Sequence, residues 1–469
     1  MSTANPTSST SKVSLRPSRG QARFAFTILF TINILNYADR YVLPAILPKV
    51  QADLGLTSLE AGLLGSSFLL VYAFATLPIG VWADRGVRKN IVALCVGIWS
   101  VATCLTGFTR NFVQLFNVRA VLGIGEAGYA PASLSLLGDF FSKAQRGRVL
   151  SYWSSGTLLG AAIGFTLGGL VGDAFGWRWA FYIVGIPGLI AAFLAWRMLE
   201  PRRGAFENEG DDATGEGAAN EVEAISEHGG LGKGFWNTAK KLLQIPTYWT
   251  LLGALTFSFF TIGGTSFWLP SYFVDAFKLT VGRAGVISGA VLVSTGLVGT
   301  VVGGWLADYM QRRRPEGRLL VATLGFLLGA PLVLLALFIH SLPLFIAVFL
   351  IAAIALNFCT GPLNAVIQDV ITPTMRATAV GLSLLIAHLL GDAAAPSVIG
   401  LIADAHNHSL NFALITTAPT FLFLAGLVCL FGLRTVARDM RRMQTQFSTV
   451  GPTFMAGPPQ EGKKQPTKI

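Results

Sequence analysis

The amino-acid sequence predicts an all-α membrane protein whose helices form two related bundles of six. Three observations support this prediction: long apolar runs recur along the chain, one polar stretch divides them into two sets, and short motifs recur in both sets. Hydrophobic residues make up 52% of the 469 residues and charged residues 13%, whereas soluble domains are roughly one-quarter charged. This composition indicates an integral membrane protein.

The apolar runs are each about 18 residues or longer, which is enough to cross a bilayer as a helix. No short apolar segment with a small-residue cleavage site precedes the first of them, so we expect no removable signal peptide. The predicted spans lie near 22–47, 58–82, 90–108, 112–139, 146–172, 178–199, 246–276, 282–310, 318–339, 343–371, 376–403 and 410–435.

The distribution of charge predicts the orientation of the helices. The net charge is +11, yet most of the 35 Lys and Arg residues lie in the amino tail and in alternate loops, on one side of the membrane. Cytoplasmic segments carry an excess of Lys and Arg, so both termini are predicted to be cytoplasmic. The basic surface then faces anionic inner-leaflet lipid rather than nucleic acid. The exceptions on the opposite side are Lys49, Arg110, Arg178, Lys278 and Arg283.

The polar segments define the domain organisation. Residues 200–231 are acidic, rich in Gly and Ala and poor in apolar residues, which is typical of a disordered linker. The Lys and aromatic residues of 233–249 predict a short interfacial helix. The predicted order is a disordered cytoplasmic tail at 1–21, a six-helix bundle at 22–199, a cytoplasmic linker at 200–245, a second six-helix bundle at 246–435 and a cytoplasmic tail at 436–469.

Internal repeats relate the two bundles. A G-x-x-x-D pattern ends every third span, at Gly80–Asp84, Gly169–Asp173, Gly304–Asp308 and Gly400–Asp404. Its copies alternate between the two sides of the membrane, as three-helix repeats of inverted orientation would produce. Basic residues follow Asp84 and Asp308 at the same spacing, and Asp139 and Arg146 correspond to Asp369 and Arg376. The sequence therefore predicts a duplicated chain.

The fifth span carries glycines at strict i, i+4 spacing: Gly156, Gly160, Gly164 and Gly168. A helix face without side chains lets a neighbouring backbone approach closely. Two interpretations remain open, namely tight static packing and a smooth surface on which the bundles move.

Few ionisable residues lie well inside the spans. Each costs several kcal/mol in lipid unless it faces a partner or water, so each is a candidate functional residue. The alternative is a buried ion pair that only fixes helix register. These residues are Asp39, Arg40, Arg119, Glu126, His388 and Asp392.

Depth in the membrane predicts which of them meet. At about 1.5 Å per residue, Asp39 lies roughly 12 Å and Arg119 roughly 10 Å below the same surface, with Glu126 roughly 20 Å below it. Arg119 and Glu126 share a helix face, whereas Asp39 and Arg40 are about 100° apart. We therefore expect an inward cluster of Asp39, Arg119 and Glu126, which Arg40 reaches from the side.

Carboxylates beside arginine suit proton coupling. A carboxylate that loses its cation in a dehydrated site takes up a proton, and the returning cation releases that proton. An anionic substrate that competes for Arg119 or Arg40 would link substrate and proton occupancy, because the guanidinium fork suits carboxylate or phosphate. His388, one turn from Asp392, is a candidate second titrating group, with a simple hydrogen-bonded role as the alternative.

A second set of charged residues lies at the predicted cytoplasmic ends. Positive-inside topology explains its basic members but not the aspartates at helix ends. Asp84 at the end of the second span is predicted to approach the amino terminus of the eleventh, as part of a gate. The predicted gate residues are Asp84, Arg85, Arg88, Lys89, Asp139, Arg146, Asp308 and Arg376.

The sequence resembles known transporters. GVWADRGVRK, residues 80–89, is similar to the loop motif of the major facilitator superfamily, with Gly86 one place early and Val87 at the usual glycine position. NYADRY, RAVLGIGEAGYAPA, RGRVLSYWSSGTLLG and GDAFGWRWAFYIVGIPG resemble the spinster family, strongly over 25–200 and more weakly beyond. The resemblance implies the major facilitator fold and a cavity lined by Asp39, Arg40, Arg119 and Glu126. A bacterial member is expected.

Relatives in the spinster family move lysophospholipids or sphingosine-1-phosphate, some with proton coupling, so the resemblance implies a lipid-like anionic substrate. The superfamily also contains proton-coupled transporters of small organic acids, and that alternative stays open. Aromatic candidates for the apolar part of such a cavity are Tyr37, Tyr41, Tyr129, Phe259, Phe260, Phe267 and Trp268.

The favoured function is a monomeric secondary transporter in the cell (inner or plasma) membrane, with protons as coupling ion and no other cofactor. No phosphate-binding G-x-x-x-x-G-K-[ST] sequence and no nucleophile or metal set is present, which argues against an ATP-driven pump or an enzyme. A channel would need a filter or a ring of charge. A small-anion or drug-like-anion transporter and a non-transporting lipid receptor remain the alternatives.

Overall fold

The structure is a computed structural model that describes residues 17–206, 238–372, 375–443 and 445. Throughout these ranges the chain is helical apart from short turns, and no strand occurs in them. Most of the predicted tails and linker therefore lies outside the described residues. Of the interfacial helix expected over 233–249, only the part from 238 is described, and 238–242 are helical. The all-α class is confirmed.

Long helices follow one another as the hydropathy predicts. The regular α-helix is interrupted within three of them: α4 breaks at Gly128, α10 near Phe358, and α11 contains a π-helical turn over Ala387–Asp392. The helices are α1 (Arg19–Leu54), α2 (Ser58–Arg85), α3 (Arg88–Thr106), α4 (Phe112–Ala127 and Tyr129–Phe140), α5 (Lys143–Phe175), α6 (Trp177–Trp196), α7 (Pro246–Phe277), α8 (Val281–Gln311), α9 (Gly317–Leu337), α10 (Leu342–Asn357 and Thr360–Val370), α11 (Arg376–Ile386, the π turn and Ala395–Ala405) and α12 (Leu410–Leu433).

Within the described ranges, 11 helices are long and apolar enough to cross a membrane. The helix α1 is not among them, because Asn33, Asn36, Asp39 and Arg40 interrupt its apolar sequence. It is nevertheless 36 residues long and packs against α5 and α6. A twelfth span through α1 therefore remains a prediction, supported by its length and its place in the bundle.

The helices pack as two bundles. In the first, α1 packs on α5 and α6, α2 on α4, and α3 on α4 and α6. In the second, α7 packs on α11 and α12, α8 on α10, and α9 on α10 and α12. We call the face at which α1 begins and α12 ends the terminal side, and the opposite face the distal side.

The glycine ladder of α5 faces α1 in its own bundle. A Cβ placed on Gly160 would lie 2.4 Å from the carbonyl oxygen of Ile34, and one on Gly164 would lie 2.3 Å from that of Ala38. No side chain fits between these backbones. At these two positions the structure favours the static-packing interpretation.

Two helix pairs make the most extensive contacts between the bundles: α5 with α8, and α2 with the Ala395–Ala405 segment of α11. Their contacts lie on the distal side. Ser66 and Ser397 share a hydroxyl–hydroxyl hydrogen bond of 2.6 Å, and Gly62 lies against the carbonyl of Pro396.

On the terminal side the same four helices leave space. Gly80 on α2 and Gly304 on α8 have no atom within 4 Å of a notional Cβ. Large apolar side chains nearby are exposed, including Leu77 (64%) and Val301 (71%). The bundles therefore close the distal side and leave the terminal side open.

Candidate functional site

The polar residues of α1 point to two different neighbours. Asp39 is fully buried and accepts a hydrogen bond from the Thr103 hydroxyl of α3. The next residue, Arg40, donates from Nε to Oε2 of Glu126 on α4, over 2.6 Å. Consecutive helical residues are about 100° apart, so one helix supplies both α3 and α4 with a charged partner.

Arg119, on α4, is a further buried cation of the first bundle. Its side chain is almost fully buried, and its guanidinium carbon lies 5.2 Å from the Phe68 ring centre. Its Nε and Nη1 atoms have no hydrogen-bond partner among the described residues. The ion pair of Glu126 therefore forms with Arg40, the residue that was expected to reach the cluster from the side.

Aromatic side chains surround the Arg40 guanidinium. Its carbon lies 4.6 Å from the ring centre of Tyr72, 5.1 Å from that of Tyr37 and 5.2 Å from that of Phe68. Faces of aromatic rings attract guanidinium groups. Sequence analysis missed Tyr72 and Phe68, because they lie in an apolar stretch of α2 with no polar spacing to mark them.

A central cavity of about 270 Å³ lies between the bundles. The first bundle contributes both arginines, and the second contributes His388 and Asp392. Asp39 and Glu126 were expected to line this cavity but do not, because their side chains bond to Thr103 and Arg40 instead. The lining includes Tyr37, Arg40, Tyr41, Phe68, Arg119, Phe259, Phe267, His388 and Asp392.

The second-bundle wall is built on the π turn of α11. His388 Nδ1 lies 2.9 Å from Asp392 Oδ2, and the His388 ring packs against Phe259 at 5.0 Å between centres. Gly263 of α7 makes room for this turn, since a Cβ there would lie 2.3 Å from that of Asp392. The other oxygen of Asp392 has no hydrogen-bond partner in the described chain. Single π turns often mark functional sites.

The aromatic candidates divide between the cavity and the core. Tyr129 does not line the cavity: its hydroxyl donates to the Leu29 carbonyl and accepts from the Trp153 indole at 3.1 Å. Phe260 stacks on Phe421 at 3.8 Å between ring centres. Trp268 is likewise buried and donates its indole N–H to the Pro396 carbonyl, whereas the remaining candidates contact the cavity.

A second cavity of about 160 Å³ adjoins the first. The two share Tyr41, Ile262 and Ser266. Its lining comes from α1, α5, α7, α8, α9 and α10 and contains no charged side chain. Most of these residues are apolar, among them Leu158, Phe165, Leu269, Val291, Leu292, Phe349 and Leu356.

The predicted gate residues on the terminal side bond within their own bundles. Arg88 is buried and pairs with Asp139 and, at 2.8 Å, with Glu200 just after α6. Arg146 donates to the Gly138 carbonyl at 2.7 Å. The backbone N–H of Lys89 donates to Glu200 at 2.9 Å.

The second bundle repeats this arrangement with a different residue. Arg318, at the start of α9, pairs with Asp308 at 2.8 Å and with Asp369 at 2.7 Å. The counterpart of Arg88 is therefore Arg318, and not Arg312, which follows Asp308 at the distance at which Arg88 follows Asp84. The loop before α9 is longer than the loop before α3, so counting from the aspartate gives the wrong residue.

Asp84 is exposed and makes no hydrogen bond or ion pair with any described residue. The Arg85 side chain likewise makes neither with the described residues. Arg376 donates to the Ile371 carbonyl of its own bundle at 3.3 Å. The expected contact of Asp84 with the start of α11 is absent here, because the terminal side is open in this conformation.

Comparison with known proteins identifies the family. The profile described as "Major Facilitator Superfamily" matches residues 29–396. The chain belongs to the major facilitator superfamily.

Within this superfamily, the chain is similar to spinster proteins. It is 30% identical over 406 residues to protein spinster homolog 3 of Danio rerio, covering 82% of this chain and 78% of that protein. Identity to protein spinster of Drosophila melanogaster is 28%, covering 86% of this chain and 66% of the other. The sphingosine-1-phosphate transporter SPNS2 of Danio rerio is 29% identical, covering 80% and 75%. The chain is therefore a spinster-type transporter and not an enzyme.

Solved structures agree on the fold. A bacterial homolog of the human lysosomal transporter spinster, in an inward-facing and unoccupied conformation, matches with a TM-score of 0.75 at 24% identity. The match covers 92% of this chain and 99% of that one. Its occupied inward-facing form matches with a TM-score of 0.71 at 22% identity. The predicted major facilitator fold is confirmed.

Proposed function

We propose that this chain is a proton-coupled secondary transporter of an amphipathic anion, of the lysophospholipid or sphingosine-1-phosphate type. The observation that carries the proposal is the junction of two unlike cavities at Tyr41. One cavity holds unpaired cationic donors, and the other holds only uncharged side chains.

The charged cavity suits an anionic headgroup. Arg119 presents guanidinium N–H groups that have no partner among the described residues, and a phosphate oxygen would satisfy them. Arg40 lies on the same cavity and keeps one ion pair, with Glu126. His388 and Asp392 face these arginines from the second bundle and are proposed to contact the same headgroup.

The uncharged cavity suits a hydrocarbon chain. Burying apolar surface is favourable by roughly 0.8 kcal/mol per CH₂ group. The two cavities share three lining residues, so a ligand that spans both would place its headgroup beside Arg119 and the start of its chain beside Leu158 and Leu292.

Proton coupling is proposed to involve Glu126 and Arg40. A headgroup that draws Arg40 toward the cavity would weaken the pair with Glu126, whose Oε1 has no other hydrogen-bond partner among the described groups. A buried carboxylate without its cation is stabilised by a proton. Asp39, held by Thr103, is the proposed second carboxylate.

The cycle is proposed to be alternating access between the two bundles. With both termini in the cytoplasm, the open terminal side makes this conformation inward-open. We propose a monomer in the cell membrane. The excess of Lys and Arg on the terminal side supports this orientation.

Proton movement in proteoliposomes with a trapped pH dye tests the substrate. Lysophospholipids and small organic acids are compared for the unmodified chain and for Glu126→Gln, with Asp53→Asn as the control. Asp53 pairs with Arg178 at 2.8 Å, away from the cavity. A lysolipid-dependent signal that Glu126→Gln abolishes and Asp53→Asn retains is expected. A signal with small acids alone would favour the organic-acid alternative, and binding without accumulation would favour a receptor.

A variant that fills the uncharged cavity separates chain binding from headgroup binding. Ala353→Phe places a ring among the residues that line it. We expect lysolipid transport to fall at least tenfold, while a short-chain phosphate still competes for the headgroup site. Val301→Phe, at an exposed position on α8, is the size-matched control. Equal losses in both variants would contradict the chain-binding role.

A further inference from the structure

The distal side is closed by two aspartates that bond to backbone of the opposite bundle. We propose that Asp173 and Asp404 form a paired distal gate, whose contacts break when the transporter opens to that side. The distal gate is defined by two contacts: Asp404 of α11 bonds to the first turn of α2, and Asp173 of α5 bonds to the first turn of α8. The proposal rests on the alternating-access part of the proposed function and not on its substrate.

Asp404 ends α11 and receives the first N–H groups of α2. Its two oxygens accept from Ser58 N at 3.0 Å and from Leu59 N at 2.8 Å. The first N–H groups of a helix have no partner within the helix, and the helix dipole favours a negative charge there. The bond therefore joins a carboxylate of the second bundle to the backbone of the first.

Asp173 makes the corresponding contact in the other direction. It ends α5 and accepts from Gly282 N, on the first turn of α8, at 2.7 Å. Here a carboxylate of the first bundle meets the backbone of the second. Each bundle thus supplies one acceptor and one helix start.

The glycine of each motif packs on the same turn that its aspartate bonds. A Cβ on Gly400 would lie 2.2 Å from the Ser58 carbonyl oxygen, and a Cβ on Gly169 would lie 2.8 Å from that of Val281. In the G-x-x-x-D pattern, the glycine therefore lets the first turn of a helix from the other bundle approach closely, and the aspartate bonds to the backbone of that turn.

The receiving helix starts also repeat in sequence. L-T-x-x-x-A-G occurs at 56–62 and again at 279–285. Thr57 and Thr280 each cap their own helix, with side chains accepting from Glu60 N and Arg283 N. The glycines that end this pattern, Gly62 and Gly285, lie against the carbonyls of Pro396 and Phe165. These carbonyls lie one helical turn before Gly400 and Gly169. Two sequence patterns, each present twice, thus meet in two matching interfaces.

Each aspartate also has a partner in its own bundle. Lys49 lies 2.9 Å from Asp173, and His408 Nδ1 lies 2.8 Å from Asp404. These side chains position the carboxylates while the bonds across the interface go to backbone. The terminal-side copies of the motif differ here, because Asp84 has no described partner and Asp308 bonds to Arg318 within its bundle.

Distance measurements between spin labels test the gate without any substrate. One label pair, at Ala52 and Asn411, spans the distal side, and another, at Ala144 and Arg314, spans the terminal side; all four positions are exposed. We expect Asp404→Ala and Asp173→Ala each to raise the ratio of distal-open to distal-closed molecules about fivefold, as loss of a helix cap implies. The double variant should raise it about twenty-five-fold if the contacts act independently.

Two controls decide the outcome. Asp53→Ala removes a carboxylate on the same side whose partners, Arg178 and Trp177, belong to the same bundle, and it should leave the ratio unchanged. Gly400→Ala retains both aspartates but should separate α2 from α11, whereas Gly304→Ala meets no atom in this conformation. An unchanged ratio in the double variant, or an equal shift in Asp53→Ala, would overturn the proposal. Failure of lysolipid transport with an intact gate response would overturn only the substrate assignment.

Discussion

Arg40 and Glu126 form a 2.6 Å ion pair between α1 and α4, with the Glu126 side chain fully buried and Arg40 open to the central cavity. Arg119 lines the same cavity, and its Nε and Nη1 groups have no hydrogen-bond partner among the described residues. The site therefore combines one neutralised cation with one cation available to a ligand.

Replacing Arg119 with Ala should abolish most anion binding, because its free N–H groups are the proposed headgroup donors. Hydrogen bonds to charged groups contribute about 1.5–3 kcal/mol, so an affinity loss of about tenfold to a hundredfold is expected. Calorimetric titration with a lysophospholipid would measure it. Arg110→Ala, at an exposed distal position, is the matched control. Unchanged affinity in Arg119→Ala would remove its assigned role.

The Arg40–Glu126 pair should matter more for coupling than for stability. Removing one partner of a buried pair costs about 3–5 kcal/mol, whereas replacing both with apolar residues is often neutral. We expect Glu126→Leu to lower the melting temperature in detergent and Arg40→Met with Glu126→Leu to recover most of the loss. Transport should stay absent in both. Recovery of proton-coupled transport by the double variant would exclude this pair from coupling.

Neutralising Asp84 should slow the transport cycle and leave substrate affinity unchanged. Asp84 has no described partner in this open conformation, so its proposed contact with the start of α11 forms only when the terminal side closes. Comparing maximal rate with substrate affinity for Asp84→Asn tests this. A loss confined to affinity would argue against a gating role.

The contact between α1 and α5 should not tolerate a side chain at Gly164. A Cβ there would lie 2.3 Å from the Ala38 carbonyl oxygen, so Gly164→Ala forces the helices apart. Overpacking of this kind costs about 1–3 kcal/mol. Thermal unfolding would measure the loss, with Gly147→Ala as the control because no atom lies within 4 Å of its notional Cβ. Similar melting temperatures for the two variants would contradict the packing interpretation.

Much of the site was predictable from the sequence. Charges in an apolar run mark functional candidates because a bilayer penalises each of them separately. Depth counting along the helices predicted that Asp39, Arg119 and Glu126 meet in one region of the first bundle. Depth alone does not give the rotation of a helix, so it left Arg40 at the side of the cluster, whereas the structure places Arg40 in an ion pair with Glu126. Tyr129 shows the same limit, since its position in the sequence gave no sign that its hydroxyl bonds to the Leu29 carbonyl.

The sequence by itself determined where the long helices lie and which motifs recur, because hydropathy and repeated motifs are properties of single segments. It also marked the G-x-x-x-D copies as related. Only the tertiary structure decided that the copies ending α5 and α11 bind the first turns of α8 and α2. The described aspartates of the copies ending α2 and α8 make no such contact with the other bundle. The physical reason is that a hydrogen bond between bundles depends on how two rigid bodies are placed, and no local pattern encodes that placement.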